Sequence, residues 1–407
     1  MTAAHSATLL AEIGRLMAAA EQGKARYRCL ADRAAEIYAP AVHGLGAATF
    51  IGWLIMGASW QTALTCAIAV LIITCPCALA LAVPAVQIAA ASRLFRQGIV
   101  IKAADGLQRV AEADMVVFDK TGTLTLGRPQ LVNDAAISDE VLEAAAGLAT
   151  ASKHPYAQAV VVAARTRNMT IVAASGVEET PGRGLVRTLP CGEERLGSAE
   201  WCGIAPGRGG ASEVWYARDW RAPVRFRFAD ALRSDAAAVV QELSRRGYPV
   251  ALLSGDRKSA VEQAARATGI TTWQSELTPV RKIDWLAECS KQGRKVLMVG
   301  DGLNDAPALA AAHASLSPAS AANISQRAAD FVFQGERLAP VLEVLSTARR
   351  ARSLALQNFG VAFCYNIVAV PFAMAGYVTP LIAAIVMSTS SILVTLNATR
   401  LAGVGKS

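Results

Sequence analysis

Four long runs without a single charged side chain, at 37–59, 62–84, 359–376 and 379–398, constrain this chain more than any other feature. Each approaches the ~20 residues that a helix needs to cross a bilayer. They fall in two pairs, and the turns inside each pair, near 57–61 and 376–379, also carry no charge. One such run could be a buried core helix. Two hairpins of them, in a 407-residue chain that is 53% hydrophobic, predict membrane helices. Basic residues flank the pairs on their outer sides: Lys24, Arg26, Arg28 and Arg33 before the first run, Arg93, Arg96 and Lys102 after the second. Arg349, Arg350 and Arg352 precede the third, and Arg400 and Lys406 follow the fourth. The positive-inside rule then places both ends and the long middle segment in the cytoplasm. The formal charge of +8 is therefore topological. No basic helix or aromatic-basic ladder predicts a nucleic-acid partner; the expected partner is the lipid bilayer. Residues 1–20 include Glu12 and Arg15 and lack the apolar core of a secretory signal. Apart from Cys75 and Cys77 the eight cysteines are scattered, which predicts reduced thiols rather than a disulfide framework.

The charged middle reads as an α/β sheet interrupted once. Met115-Val116-Val117-Phe118 is a buried parallel strand by its unbroken apolar run. Strand patterns return at 248–253, 295–299 and 330–333, with helical patterns at 235–246 and 259–268. The expected organisation is a cytoplasmic amphipathic helix at 1–36, striped by Leu9, Leu10, Ile13, Leu16 and Met17, and a membrane hairpin at 37–93. A polar connector at 94–108 leads to a doubly wound domain in two pieces, 105–128 and 229–345. An inserted α+β domain occupies 129–228, and a second membrane hairpin covers 353–400.

Asp119-Lys120-Thr121-Gly122-Thr123-Leu124-Thr125 follows the first strand directly. Ligands of open α/β sheets gather at the carboxyl ends of strands. A carboxylate there can attack a γ-phosphate and form an aspartyl-phosphate, dividing one hard transfer into two easier ones. Lys120 can offset the charge on the transferred group. Ser254 can donate a hydrogen bond to it, and the turn at Gly255 offers backbone N–H groups of the kind that hold anions. Gly300-Asp301-Gly302-Leu303-Asn304-Asp305 ends another strand with further carboxylates. Two carboxylates facing one phosphate repel unless a cation lies between them. Mg2+, an oxygen-seeking ion often shared between carboxylate and phosphate, fits that need. Its expected ligands are Asp119, the Thr121 carbonyl and Asp301, with Asp305 in support and Asn304 as a hydrogen-bond donor. Neither a Walker A pattern nor Gly-x-Gly-x-x-Gly is present.

The heptad at Asp119 resembles the phosphorylation signature of the P-type ATPases, and the resemblance runs from about residue 8 to about residue 400. It implies a discontinuous dehalogenase-like phosphorylation domain with an inserted nucleotide-binding domain, ATP as cofactor, and Lys282 as a second phosphate-facing cation. Ser152-Lys153-His154-Pro155 resembles the His-Pro element that orients the adenine end of ATP. Pro181-Gly182-Arg183-Gly184 resembles the paired-glycine turn that nucleotide approaches, and Gly197-Ser198 stands where the family commonly has Gly-Asn. The acidic residue often found five positions before the histidine is Ala149 here. Asp230-Ala231-Leu232-Arg233 resembles the returning hinge.

Cys75-Pro76-Cys77 lies inside the second apolar run. On a regular helix, residues two apart point about 200° away from each other. Pro76 removes a backbone hydrogen bond and breaks the helix locally, so both thiolates can turn toward one ion; Pro84 is expected to extend the distortion. Thiolates suit Cu(I) but also zinc. Tyr365-Asn366 and Met387-Ser388-Thr389-Ser390-Ser391 resemble signatures of the copper(I) subgroup, with Met387, Ser390 and Ser391 at one-face spacing. Zinc-type relatives place charged residues in these helices, and neither run has one. Cys66 and Cys364 read as buried, inert thiols, and His43 as a helix-end residue. Tyr38-Ala39-Pro40, His43 and Trp53 look like the bacterial copper pumps that serve cytochrome oxidase assembly. That resemblance implies a copper chaperone or oxidase-assembly factor as partner and a bacterial inner membrane as location.

No Thr-Gly-Glu occurs in the chain, nor a Cys-x-x-Cys metal-binding module. The resemblance therefore implies the C-terminal half to two-thirds of a pump, with 1–36 as the tail of an actuator segment, and slow or absent turnover for these 407 residues alone. The expected function is ATP-driven export of Cu+ through an aspartyl-phosphate. The alternatives are a non-pumping remnant that binds nucleotide and metal, or a pump for zinc or cadmium. A soluble dehalogenase-like phosphatase shares the Asp119 sheet and leaves the membrane runs unexplained.

Overall fold

The computed structural model describes residues 30–75, 77–190, 192–204, 212–218, 221–301, 305–321 and 323–403. The amphipathic stripe predicted at 9–17 and the predicted donor Asn304 lie outside these residues, and for Cys77 only the backbone is described.

The apolar runs are helical. Leu30–Ile55 and Trp60–Ile73 precede Cys77–Arg96, while Ala339–Met374 and Pro380–Gly403 form the later pair. Among the described residues, Ala339–Met374 and Pro380–Leu401 are long and apolar enough to cross a membrane, and only 17% and 22% of their apolar windows are buried. A core helix of a soluble protein would be mostly buried. Instead Phe363, Ile367, Phe372, Leu381, Ile385 and Leu396 stand exposed on these helices, as side chains facing lipid tails do. The two earlier apolar helices, Pro40–Ile55 and Trp60–Ile73, are shorter. Polar contacts join the helices: the Trp53 indole donates to the Met374 carbonyl at 2.9 Å, and the Asn397 amide donates to Asn358 at 2.9 Å. Such bonds are worth making where no water competes.

The run at 62–84 is two helices. The first ends at Thr74, whose hydroxyl turns back to the Val70 carbonyl at 2.6 Å, and the next begins at Cys77. The break falls at the Cys-Pro-Cys stretch, as expected. Pro84 does not extend it: the helix Cys77–Arg96 continues through Pro84, because one lost backbone bond is tolerated where neighbouring turns hold.

In chain order the strands are β1 (Ile99–Ile101), β2 (Met115–Asp119), β3 (Thr125–Leu131), β4 (Val177–Thr180), β5 (Gly184–Leu189), β6 (Gly192–Gly197) and β7 (Ser212–Arg218). There follow β8 (Arg221–Leu232), β9 (Val250–Leu253), β10 (Thr272–Gln274), β11 (Val296–Val299), β12 (Ala314–Pro318) and β13 (Phe331–Phe333). One sheet has the order β1-β13-β12-β11-β2-β9-β10. Strands β9, β11 and β12 are buried along their whole length, and the pairs β9–β10, β11–β12 and β12–β13 are parallel. The unbroken apolar runs of β9 and β11 are what a sheet covered on both faces requires. From β2 the chain steps one way through β9 and β10, then returns to β11 and steps the other way through β12 and β13. That reversal lies between β2 and β11, where ligands of open sheets bind.

The connector predicted as merely polar contains β1, which pairs antiparallel with β13. The helix Gly106–Glu112 that follows carries Arg109, which is 3% exposed and meets Asp330 at 2.7 and 2.9 Å and Asp105 at 2.9 and 3.0 Å. Asp330 also accepts the Ser315 N–H and hydroxyl. Burial works against the Arg109 charge, and the hydrogen bonds it donates to Asp330 and Asp105 more than offset that and raise its pKa. A buried ion pair is tolerated because its remaining lone pairs are satisfied in this way.

The second sheet, β3-β8-β7-β6-β5-β4, is antiparallel in every pair. Helices Asp139–Ala149 and Pro155–Thr166 share its core, with Leu142, Leu148, Val160, Leu185, Tyr216 and Phe226 buried. Beside that core the fully buried Glu194 is met by the Tyr216 hydroxyl and by Arg187 at 2.5 Å. Burial and the neighbouring Glu194 carboxylate push the Tyr216 pKa upward. Gly184 and Gly197 face each other across β5 and β6. A Cβ on Gly197 would lie 2.3 Å from the Arg183 carbonyl oxygen and 2.8 Å from the Gly184 Cα. Gly197→Ala should therefore lower stability by about 1–3 kcal/mol, the range for forced overpacking; denaturant unfolding followed by tryptophan emission measures it. An unchanged midpoint would show that the two strands separate easily.

Candidate functional site

Asp119 is the last residue of β2 and is 4% exposed. The chain then makes a tight turn over Lys120–Leu124 in which Gly122 has φ +68, a conformation glycine adopts without strain. Thr125 braces the turn by accepting the Gly122 N–H and donating to the Lys120 carbonyl, both at 3.1 Å. Arg233, 3% exposed, grips it from outside: its guanidinium donates to the Thr123 carbonyl at 2.7 Å and the Gly122 carbonyl at 2.8 Å. Sequence reading placed Arg233 only in a hinge. Its role as a loop clamp has no local signal, since the two segments are more than a hundred residues apart.

Carboxylate oxygens of Asp119, Asp301 and Asp305 lie within 4.8 Å of one another. They come from the carboxyl ends of β2 and β11, strands adjacent in the sheet. All three ligand atoms are hard oxygens, a donor set that suits Mg2+ and not a soft ion. Lys282 comes from the first turn of the helix Pro279–Lys291, where Thr278 caps the end and Pro279 fixes the first position. It is 3% exposed, and its ammonium meets Asp305 at 2.5 Å. Asp305, itself 2% exposed, is thus tied to a cation as well as to the carboxylate cluster.

Lys120 meets Asp256 at 2.7 Å and Asp230 at 3.6 Å. The Thr121 hydroxyl donates to Asp256 at 3.0 Å. Burial opposes the Asp256 charge, but the Lys120 ammonium and the Thr121 and Ser254 contacts hold its carboxyl below the usual range. Asp256 was not singled out from sequence, although it directly follows Ser254 and Gly255. Ser254 is 2% exposed and accepts the Asp256 N–H at 3.1 Å; Gly255 has the Leu277 carbonyl 3.2 Å from where a Cβ would stand. A cleft lined by Lys120, Thr121, Asp230, Asp256, Arg225 and Arg227 opens beside this cluster, with a volume of about 1120 Å³.

In the second sheet, His154 caps the helix Pro155–Thr166, its Nδ1 accepting the Tyr156 N–H at 3.3 Å. Gly182 has φ +77 and open space around it, so it can admit a ligand. Gly184 and Gly197 are already filled by each other's backbone. The close packing of the two strands by itself requires that both lack side chains. Ser198 accepts the Trp201 N–H at 3.2 Å.

Between the membrane-type helices lies a cavity of about 770 Å³ whose lining includes Cys75, Tyr365, Asn366, Met387 and Ser390. These residues come from three separate segments. The Ser390 hydroxyl is 6% exposed and finds no hydrogen-bond partner among the described residues. Ser391 instead donates to the Met387 carbonyl of its own helix at 3.3 Å, so the expected triplet contributes two side chains to the cavity. Cys66 is buried as expected, but Cys364 is exposed, since it sits on an outward face of its helix. Cys202 is buried and its thiol is pushed up to about 11 by desolvation, as suits an inert group.

Residues 113–313 match the haloacid dehalogenase-like hydrolase family. The nitrogen fixation protein FixI of Rhizobium leguminosarum bv. viciae is 47% identical over 404 residues, covering 98% of this chain and 53% of that protein. The probable copper-exporting P-type ATPase V of Mycobacterium tuberculosis is 34% identical over 423 residues, covering 100% and 55%. The crystal structure of a zinc-transporting PIB-type ATPase in its E2.Pi state superposes with a TM-score of 0.84 at 28% identity, over 99% of this chain and 68% of that one. The chain is similar to P-type ATPases along nearly its whole length. It spans about half the length of the curated relatives it matches. Within this chain the hydrolase match contains Asp119, Asp301 and Asp305, while the cavity lined by Cys75 and Met387 lies outside it.

Proposed function

We propose that the chain carries the phosphorylation site, the nucleotide site and the membrane metal path of an ATP-driven copper(I) exporter of a bacterial inner membrane. The observation that carries the reading is the convergence of Asp119, Asp301 and Asp305 at the reversal point of the sheet. Asp119 Oδ attacks the γ-phosphorus of ATP, the bond to the bridging oxygen breaks, and ADP leaves with that oxygen. Lys120 exchanges Asp256 for the transferred phosphoryl group, Ser254 and the Gly255 turn hold its oxygens, and Lys282 keeps Asp305 in place. Mg2+ held by Asp119, the Thr121 carbonyl and Asp301 would supply the positive charge that lets carboxylate and phosphate meet; Asp305 and Asn304 support that set. His154, Gly182 and Ser198 face the nucleotide, and Gly184 and Gly197 shape the strands behind it. The domains proposed are those read from the sequence: 37–93 and 353–400 in the membrane, 105–128 with 229–345 for phosphorylation, and 129–228 for nucleotide.

Copper(I) is the proposed cargo because the cavity offers Cys75, Met387, Tyr365, Asn366 and Ser390 and no carboxylate. Soft sulfur with neutral oxygen suits a soft monovalent ion; zinc(II) would leave more charge unmatched. A copper chaperone or an oxidase-assembly factor is the corresponding partner. The test is metal loading of the reduced chain in detergent. We expect Cu(I) to bind in preference to Zn(II), and Met387→Ala to weaken Cu(I) about tenfold, equivalent to one thioether contact of roughly 1.4 kcal/mol. Stoichiometric Zn(II) that ignores Met387→Ala, with little Cu(I), would assign the path to zinc.

A further inference from the structure

On the rim of the six-stranded sheet, one serine holds a carboxylate and the backbone N–H of a histidine. Ser152 is 3% exposed. Its hydroxyl donates to Glu179 Oε1 at 2.7 Å and accepts the His154 N–H at 3.1 Å. Gln158 closes the same turn by donating to the Ser152 carbonyl at 2.6 Å. Glu179 is the residue before the tight turn Thr180–Arg183, which is closed by the Arg183 N–H on the Thr180 carbonyl at 3.0 Å. Pro181 and Gly182 occupy its two central places, with Gly182 at φ +77 and open space beside it. Glu179 and His154 are both exposed, so the pair faces outward while the serine that locks it is buried.

The two exposed groups have opposite hydrogen-bonding sense. His154 Nδ1 accepts the Tyr156 N–H, so the proton of the neutral ring is on Nε2, which donates. The Glu179 carboxylate only accepts. A ligand edge that complements them carries an amine donor next to a ring-nitrogen acceptor. Adenine has that edge; guanine presents a carbonyl and an N–H in the reverse order, and its carbonyl would face the carboxylate.

We infer that Glu179, positioned by Ser152, reads the exocyclic amine of adenine and makes this site select ATP over GTP. The inference rests on the proposed nucleotide site and names its base-selecting residue. Glu179 touches the base; Ser152 is a positioning residue that acts through it. A carboxylate that accepts an amine rejects a carbonyl in the same place, because two oxygens with only lone pairs then face each other.

The experiment is displacement of trinitrophenyl-ATP from the full 407-residue chain by ATP and by GTP, read as the ratio of the two displacement constants. The wild-type chain should prefer ATP. Glu179→Gln, at an exposed position where folding is not at risk, should cut that preference by about tenfold, the effect of one charge-assisted hydrogen bond. Ser152→Ala should move the ratio the same way by less, and Ser152→Thr should restore it, which a merely structural serine would not do. His154→Ala reports on the site itself by weakening ATP. If His154→Ala weakens ATP but Glu179→Gln leaves the ratio alone, the role of Glu179 is overturned and the nucleotide site stands. If neither variant affects ATP, or the wild type does not discriminate, the base is not read on this rim and both fall.

Discussion

Asp119→Asn should abolish acid-stable labelling of the chain by γ-labelled ATP, a loss of about a thousandfold or more of the kind seen when a nucleophile is removed. The amide is nearly the same size, so the 4%-exposed position and its place at the end of β2 need not change. What changes is the electron pair: a neutral amide oxygen does not attack phosphorus. Removing one of three carboxylates within 4.8 Å also removes repulsion from the incoming phosphate. Nucleotide binding should therefore persist or strengthen while labelling disappears, a combination that misfolding cannot produce. Asp301→Asn separates the roles, since it keeps the nucleophile and removes a cation ligand; its labelling should fall and partly recover at high Mg2+. Label that survives in Asp119→Asn would place the nucleophile elsewhere.

Cys75→Ser combined with Cys77→Ser should eliminate tight Cu(I) binding by the reduced chain, measured as copper retained against a competing chelator. Thiolate is the softest donor available at this depth, and serine offers a neutral hard oxygen in its place. The loss should be several orders of magnitude, because two metal–sulfur bonds go and the remaining lining of Met387, Tyr365, Asn366 and Ser390 supplies a single sulfur. Pro76 is untouched, so the break between Ile73 and Cys77 should remain. Copper retained at unchanged stoichiometry would sink the metal path proposed for this cavity.

Much of the architecture was legible because it is written locally. Apolar runs at Val250–Leu253 and Val296–Val299 announced buried strands, and both ended at the turns that the chemistry required. The proline between two cysteines announced a broken helix, and the break is there. Other elements gave no local sign. Ile99–Ile101 is three residues in a polar connector and becomes a strand only because β13 offers it a partner. β12 is Ala-Ser-Leu-Ser-Pro, poor in β-forming residues, and its Ser315 is held by Asp330 from fifteen positions away. Gly184 and Gly197 read as a nucleotide approach from sequence, and they also allow contact between two backbones. Pro84 promised a second distortion that the helix around it did not need.

By itself the sequence determined which residue types stand next to each other: a nucleophilic aspartate after a strand, thiols around a proline, apolar stretches of bilayer length. These follow from covalent spacing, which no later folding step alters. Only the tertiary structure decided that Lys120 rests on Asp256, that Lys282 is tied to Asp305, that Arg233 clamps the turn at Gly122, and that Ser152 joins Glu179 to His154. Those pairs depend on where separate strands and helices end in space. Hydrogen bonds and ion pairs act over a few ångströms and do not register separation along the chain, so no pattern of spacing could have announced them.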